Sequence, residues 1–173
     1  MPGPIFFHGL ESGPGGTKAR WLAERYGAVT PDLGTSTALL EGLGAARLLD
    51  LALERARTAL VAVAPGVVVG SSFGGAVALS LLGEGRWSGP TVLLAPASQL
   101  GSRRLALPAG ARVVVIHGEL DDTVPVEHSR ELVRGTGAKL LVVPGGDHRL
   151  DAVLSDGTLA AVIDGLGAVP RSR

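Results

Sequence analysis

The sequence predicts an α/β fold in three layers, with one parallel sheet held between two layers of helices. Three observations carry that prediction. Short, β-branched apolar runs alternate with stretches of helical period along the chain, the pattern of successive β-α units. The apolar runs are continuous rather than alternating, as expected of strands covered on both faces. Many of the 26 glycines stand where such a run ends and the backbone must turn tightly.

The elements follow in order. Six strands are expected, at Ile5 to Phe7, Ala28 to Thr30, Val67 to Val69, Thr91 to Leu94, Arg112 to Ile116 and Lys139 to Val143. Thr17 is placed as the N-cap of a helix reaching Tyr26. A longer helix runs from about Leu43 to Leu60, because Leu49, Leu53, Ala56 and Leu60 fall on one face. Phe73 to Leu82 is small and apolar all round, the composition of a buried helix. Val126 to Arg134 and Asp151 to Leu166 supply two more. The second carries Leu159, Val162 and Leu166 on one stripe, with a breaker at Gly157. The tail from Val169 to Arg173 is expected to fray.

A chain of 173 residues, 46% hydrophobic, suits a single domain over 1–173 with a well-filled core. Its 16 basic and 16 acidic residues balance without a basic stripe, so nucleic acid is not an expected partner. Arg103-Arg104 is too short a run to hold a polyanion. The absence of cysteine excludes disulfides, thiolate zinc sites and a cysteine nucleophile. Four separated histidines with no adjacent carboxylate pattern do not form a metal site, so no metal is expected. Gly, Pro or charge interrupts every apolar run before bilayer length, and no membrane partner is expected. Met1 to Phe7 lacks the charged start and long apolar stretch of a signal peptide, which places the protein in the cytoplasm.

Ligands of parallel sheets bind beyond the carboxyl ends of the strands. The residues just after the predicted strands are therefore informative. They are His8-Gly9-Leu10, then Gly70-Ser71-Ser72-Phe73-Gly74-Gly75, then His117 to Asp122, then Gly145-Gly146-Asp147-His148. Titratable and Gly-rich positions gather at one end of the sheet. Gly70 to Gly74 reads G-x-S-x-G between a Val-rich strand and a small-residue helix. A serine on such a turn takes a strained conformation that pushes Oγ out of the sheet, while the helix behind it begins with free N–H groups. A hydroxyl is a poor nucleophile until a base takes its proton. His148 is the candidate base, since imidazole titrates near neutrality. A carboxylate must fix its tautomer, and Asp121 and Asp122 compete for that place. Asp122 has a second reading as a cap for the helix after Pro125.

These motifs resemble those of the α/β-hydrolases, and among them the small lidless bacterial esterases of the YqiA type. The resemblance rests on H-G-L-E-S-G-P from His8, G-S-S-F-G-G from Gly70, H-G-x-x-D-x-x-V-P from His117 and G-G-D-H from Gly145, and covers residues 5–150. It implies that Ser72 is the nucleophile, Asp121 (rather than Asp122) the acid and His148 the base. It also implies an oxyanion hole made by the backbone N–H groups of Leu10 and Phe73, and no cofactor. By the same analogy the sheet has six strands in spatial order 2-1-3-4-5-6, with no lid, and the site is open. With only three Phe, two Trp and one Tyr to line a pocket, the expected substrate is a small, short-acyl carboxylic ester.

A thioesterase or deacetylase would use the same triad, and a non-catalytic binding protein on this fold would need none of it. The shortened sheet raises self-association as an expectation. Glu11 and Ser12 are candidates for substrate contact, with loop or helix-entry roles as the alternative. His8 and His117 are expected to be buried, loop-shaping histidines, His128 to lie on an exposed helix face, and Asp147 to be a turn residue. Trp21 and Trp87 are expected to pack.

Overall fold

The structure, a computed structural model, describes residues 2–167. Its elements are, in chain order, β1 (Ile5–Phe7), α1 (Thr17–Tyr26), α2 (Thr37–Leu43), α3 (Ala45–Val63), β2 (Val68–Ser71), α4 (Phe73–Gly83), β3 (Thr91–Leu94), β4 (Gln99–Leu100), β5 (Arg103–Arg104), β6 (Val113–Gly118), α5 (Val126–Val133), β7 (Lys139–Val143), α6 (Ala152–Ser155) and α7 (Thr158–Gly165). The central sheet has five strands in the order β1-β2-β3-β6-β7, all parallel.

Strand geometry explains the three layers, since successive side chains point to opposite faces. Ile5, Phe7, Val68, Leu93 and Val115 pack with the buried faces of α3 and α4. Phe6, Val69, Val92, Leu94 and Ile116 pack on the other side with α1, α6 and α7. In α3 the buried stripe is Leu48, Leu49, Ala52, Leu53, Ala56 and Leu60, the three-and-four spacing read from the sequence. Helix α4 is buried from Phe73 to Leu82, as its apolar composition requires.

Several expectations need correction. The second of the six expected strands, Ala28 to Thr30, reduces to a single parallel bridge between Val29 and Ile5. Val29 still takes the place beside β1, donating to Pro4 O at 3.0 Å and accepting from Phe6 N–H at 2.9 Å. Pro31 follows at once and removes the next ladder donor. The helix expected from Leu43 is interrupted at Gly44, which has φ +79° and separates α2 from α3. Ser36 caps α2 by accepting from Leu39 N–H at 3.2 Å. Thr17 is the first helical residue rather than the cap; Gly16 holds that place without a side-chain bond. The last helix divides at Gly157, as the sequence suggested. Strand β7 is not covered on both faces, because it is an edge strand, and Leu141 is exposed. The tail from Val169 lies outside the described residues.

Between β3 and β6 the chain makes only the antiparallel hairpin β4-β5, so there is no separate lid domain among the described residues. None of their helices is long and apolar enough to cross a membrane.

Candidate active site

Ser72 stands on the turn from β2 into α4 with φ 52° and ψ −115°, a conformation that costs a residue bearing a Cβ about 1–3 kcal/mol. The surrounding structure holds it there. Its carbonyl accepts from Gly75, Ala76 and Ala97 N–H, and its own N–H donates to Leu94 O at 2.9 Å. The glycines of the motif are required by packing. A Cβ on Gly74 would collide with Phe7 O and stand 2.7 Å from His8 O, while one on Gly70 would meet Gly74 O at 2.6 Å. Close approach of β1 to the start of α4 is therefore possible only with glycine here.

Three side chains from three separate strand ends meet. Ser72 Oγ–H donates to His148 Nε2 at 3.0 Å, and His148 Nδ1–H donates to Asp121 Oδ2 at 2.7 Å. A carboxylate can only accept, so it assigns the proton to Nδ1 and leaves Nε2 free to take the hydroxyl proton. Asp121 is fully buried at its side chain and His148 about one-fifth exposed. Asp121 Oδ1 accepts from Thr123 N–H at 2.9 Å and Val124 N–H at 2.8 Å. Burial by itself would raise the Asp121 carboxyl, but the Val124 N–H, the His148 imidazole and the Thr123 N–H outweigh it and hold the group below its usual range.

Asp122, the competing acid, is exposed and accepts from Thr123 Oγ1 at 3.2 Å; it neither reaches His148 nor caps α5. Asp147 is a turn residue, accepting from Leu150 N–H at 3.1 Å.

The loop after β1 lies against the serine, since a Cβ on Gly9 would stand 3.5 Å from Ser72 Cβ. Buried His8 pins that loop. Its Nε2 accepts from Leu33 N–H at 3.3 Å, so Nδ1–H is left to donate to Gly9 O at 2.8 Å. Among the described residues, neither Leu10 N–H nor Phe73 N–H donates to a backbone or side-chain acceptor. Both therefore remain available beside Ser72.

A cavity of about 440 Å³ opens at this point, lined by Ser72 and His148 together with Leu10, Glu11 and Ser12. Sequence reasoning missed the rest of its wall, where Thr17, Lys18, Thr37, Thr123, Arg149 and Asp151 contribute. The signals were present: Lys18 is one of only two lysines, and Arg149 and Asp151 flank the histidine turn. Burial lowers the Lys18 ammonium below its usual range, against the pull of Asp151 at 3.8 Å and of Asp147. Apolar side chains are a minority here, Phe6 and Leu10 being the large ones. The hairpin segment from Ala97 to Leu107 does not line the cavity. Trp87 packs at the core with its Nε1–H on Thr91 Oγ1 at 2.9 Å, and Trp21 packs on the opposite layer.

No protein-family model matches the chain, and no curated protein does. Solved structures do. One is described as a hydrolase of the α/β superfamily from Xanthomonas campestris pv. campestris, with 25% identity and a TM-score of 0.76 over 98% of this chain and 100% of that one. Another is α/β hydrolase domain-containing protein 10 from mouse, at 19% identity and TM-score 0.72, covering 96% of this chain and 91% of that one. A third is a dienelactone hydrolase-like promiscuous phosphotriesterase from metagenomic libraries, at 19% identity and TM-score 0.68, covering 99% and 87%. Parallel sheet order, the serine turn after β2 and these likenesses agree: the chain has the α/β-hydrolase fold, with no separate lid domain among the described residues.

Proposed function

We propose that the protein is a serine hydrolase that cleaves small, short-acyl carboxylic esters through an acyl-enzyme. The observation that carries this reading is the continuous chain from Ser72 Oγ through His148 to Asp121, at 3.0 and 2.7 Å. Its fold neighbours described as hydrolases agree with it. The narrower kinship with lidless YqiA-type esterases is part of the same proposal.

In this mechanism Ser72 Oγ attacks the ester carbonyl while its proton passes to His148 Nε2. The imidazolium is stabilised by Asp121, which stays ionised. The carbonyl oxygen becomes an oxyanion, held by the Leu10 and Phe73 N–H groups. The tetrahedral intermediate collapses, the C–O bond breaks, and His148 gives its proton to the leaving alcohol. Water then repeats the sequence: His148 takes its proton, the hydroxide adds to the acyl carbon, and Ser72 leaves with the proton returned. Each of the two steps begins and ends with a neutral imidazole.

The cavity supports the short-acyl part of the reading. Its lining includes many polar and charged residues and few large apolar side chains, Phe6 and Leu10 being the large ones, so a long alkyl chain finds little to pack against. Glu11 and Ser12 are placed by this proposal in contact with substrate. A thioester or acetyl-amide would meet the same groups, so the leaving group is decided by assay.

The test is turnover of p-nitrophenyl acetate, butyrate and octanoate by wild type and Ser72→Ala, with labelling by a fluorophosphonate. Wild-type turnover and labelling, both lost in Ser72→Ala and greatest for acetate, are the expected results. A folded wild type that neither turns over ester nor labels would overturn the reading in favour of a binding protein.

A further inference from the structure

His117 is not among the three residues of the proposed triad, yet it touches one of them. It lies near the end of β6, four residues before Asp121, with its side chain fully buried. Its Nε2 stands 2.8 Å from Val124 O and 3.1 Å from Asp121 Oδ2. Its Nδ1 stands 2.7 Å from Ser129 Oγ on α5. Val124 O is a carbonyl and Asp121 an ionised carboxylate, so neither can donate. Nε2 must therefore carry the proton that Val124 O accepts; in the neutral ring Nδ1 is then bare and takes the Ser129 hydroxyl proton.

The consequence falls on Asp121. Its Oδ1 takes two backbone N–H groups, its Oδ2 takes the His148 imidazole N–H, and His117 Nε2 stands 3.1 Å from the same Oδ2. A carboxylate offers about four acceptor directions; three carry hydrogen bonds and the remaining side is closed by the His117 ring. The group can neither rotate away from His148 nor readily accept a proton. Val124 is bound from both ends, by N–H to Asp121 and by its carbonyl to His117, which closes the loop around the acid.

We propose that His117, held as the neutral Nε2–H tautomer by the Ser129 hydroxyl, is a positioning residue that fixes Asp121 for the His148 imidazole. The catalytic half of the proposal rests on the esterase reading above; the tautomer half does not. Burial acts in the same direction, lowering the basicity of His117 against the Val124 carbonyl and the Asp121 charge.

Two measurements test it. In protein carrying ¹⁵N-histidine, long-range ¹H–¹⁵N spectra report which nitrogen of each ring holds the proton, with His117→Gln assigning the signal. A neutral Nε2–H ring at pH 7 is expected; an Nδ1–H or doubly protonated ring would overturn the proposal. The second measurement is p-nitrophenyl acetate kinetics. His117→Leu removes the donor to Val124 O and the polar contact with Asp121 and is expected to lower kcat by about 10-fold, the size of one hydrogen bond, with KM unchanged. His117→Gln keeps an N–H at nearly the same reach and should recover most of kcat. A folded Leu variant with wild-type kcat, or a Gln variant as slow as Leu, would overturn the positioning role. If the Leu variant does not fold, the tautomer and the Gln variant decide. Failure of the esterase reading has a different signature: wild type itself neither labels nor turns over, whatever the tautomer of His117.

Discussion

Gly118 and Gly146 lie backbone against backbone. A Cβ on Gly118 would collide with the Gly146 carbonyl oxygen and stand 2.5 Å from that of Asp147, and a Cβ on Gly146 would stand 3.1 Å from Gly118 Cα. Leu120 N–H donates to the same Gly146 carbonyl at 2.8 Å, and Glu119 N–H to Val143 O at 3.0 Å. The loop that carries Asp121 and the loop that carries His148 are thus one packed unit. The 2.7 Å contact between acid and base depends on it.

Gly118→Ala should therefore force the two loops apart. The expected loss of stability is roughly 1–3 kcal/mol, as for other overpacked sites, together with a fall in kcat. Urea denaturation and p-nitrophenyl acetate kinetics check both. A stable variant with wild-type kcat would show that the loops are not coupled.

Asp121→Asn and Asp122→Asn should separate cleanly. An amide at 121 can donate to Nδ1, favouring the wrong imidazole tautomer, and a loss of about 10⁴-fold in kcat is expected. Asp122 makes no contact with His148, so its Asn variant should keep near wild-type activity. The reverse ranking would remove Asp121 from the proposed triad.

Backbone strain at Ser72 predicts a stability difference between two inactive variants. Ser72→Ala keeps a Cβ at φ 52°, whereas Ser72→Gly releases strain of about 1–3 kcal/mol. Glycine's extra unfolded-state freedom takes back roughly 0.5–1 kcal/mol. The Gly variant should be about 1 kcal/mol more stable than the Ala variant by urea unfolding. A Gly variant less stable than the Ala variant by roughly 0.5–1 kcal/mol would mean that the turn carries no strain.

The depressed Asp121 carboxyl fixes the sign of an acid effect. Its folded-state value lies below the ordinary 3.8, so its ionised form adds stability that is complete above the unfolded value. That contribution fades as pH falls from about 5 through the folded value. Asp121→Asn has no such component, so the stability gap between wild type and this variant should narrow toward pH 2. A gap that stays constant in urea titrations at pH 5, 4, 3 and 2 would contradict the depressed value.

The layered α/β class, five of the strands, the buried helix behind Ser72 and the positions after each strand where chemistry-bearing residues stand are all legible in the residues alone. These are local properties: apolar runs of strand length, three-and-four spacing in α3, glycines at Gly70, Gly74 and Gly118 where backbones touch. Tertiary structure alone decided the rest. Ala28 to Thr30 has strand composition, yet it pairs at one residue because Pro31 removes the next donor. Asp121 and Asp122 are chemically alike and adjacent, and only the packing of two loops puts one of them on His148. Lys18 and Arg149, 131 positions apart by number, share a cavity wall that no periodicity encodes. His117 was legible as a buried, loop-shaping histidine, but its grip on Asp121 came from the turn that brings residue 121 back onto the end of β6. Distances between side chains on different elements are set by how the core closes, and that is not written in any short stretch of the chain.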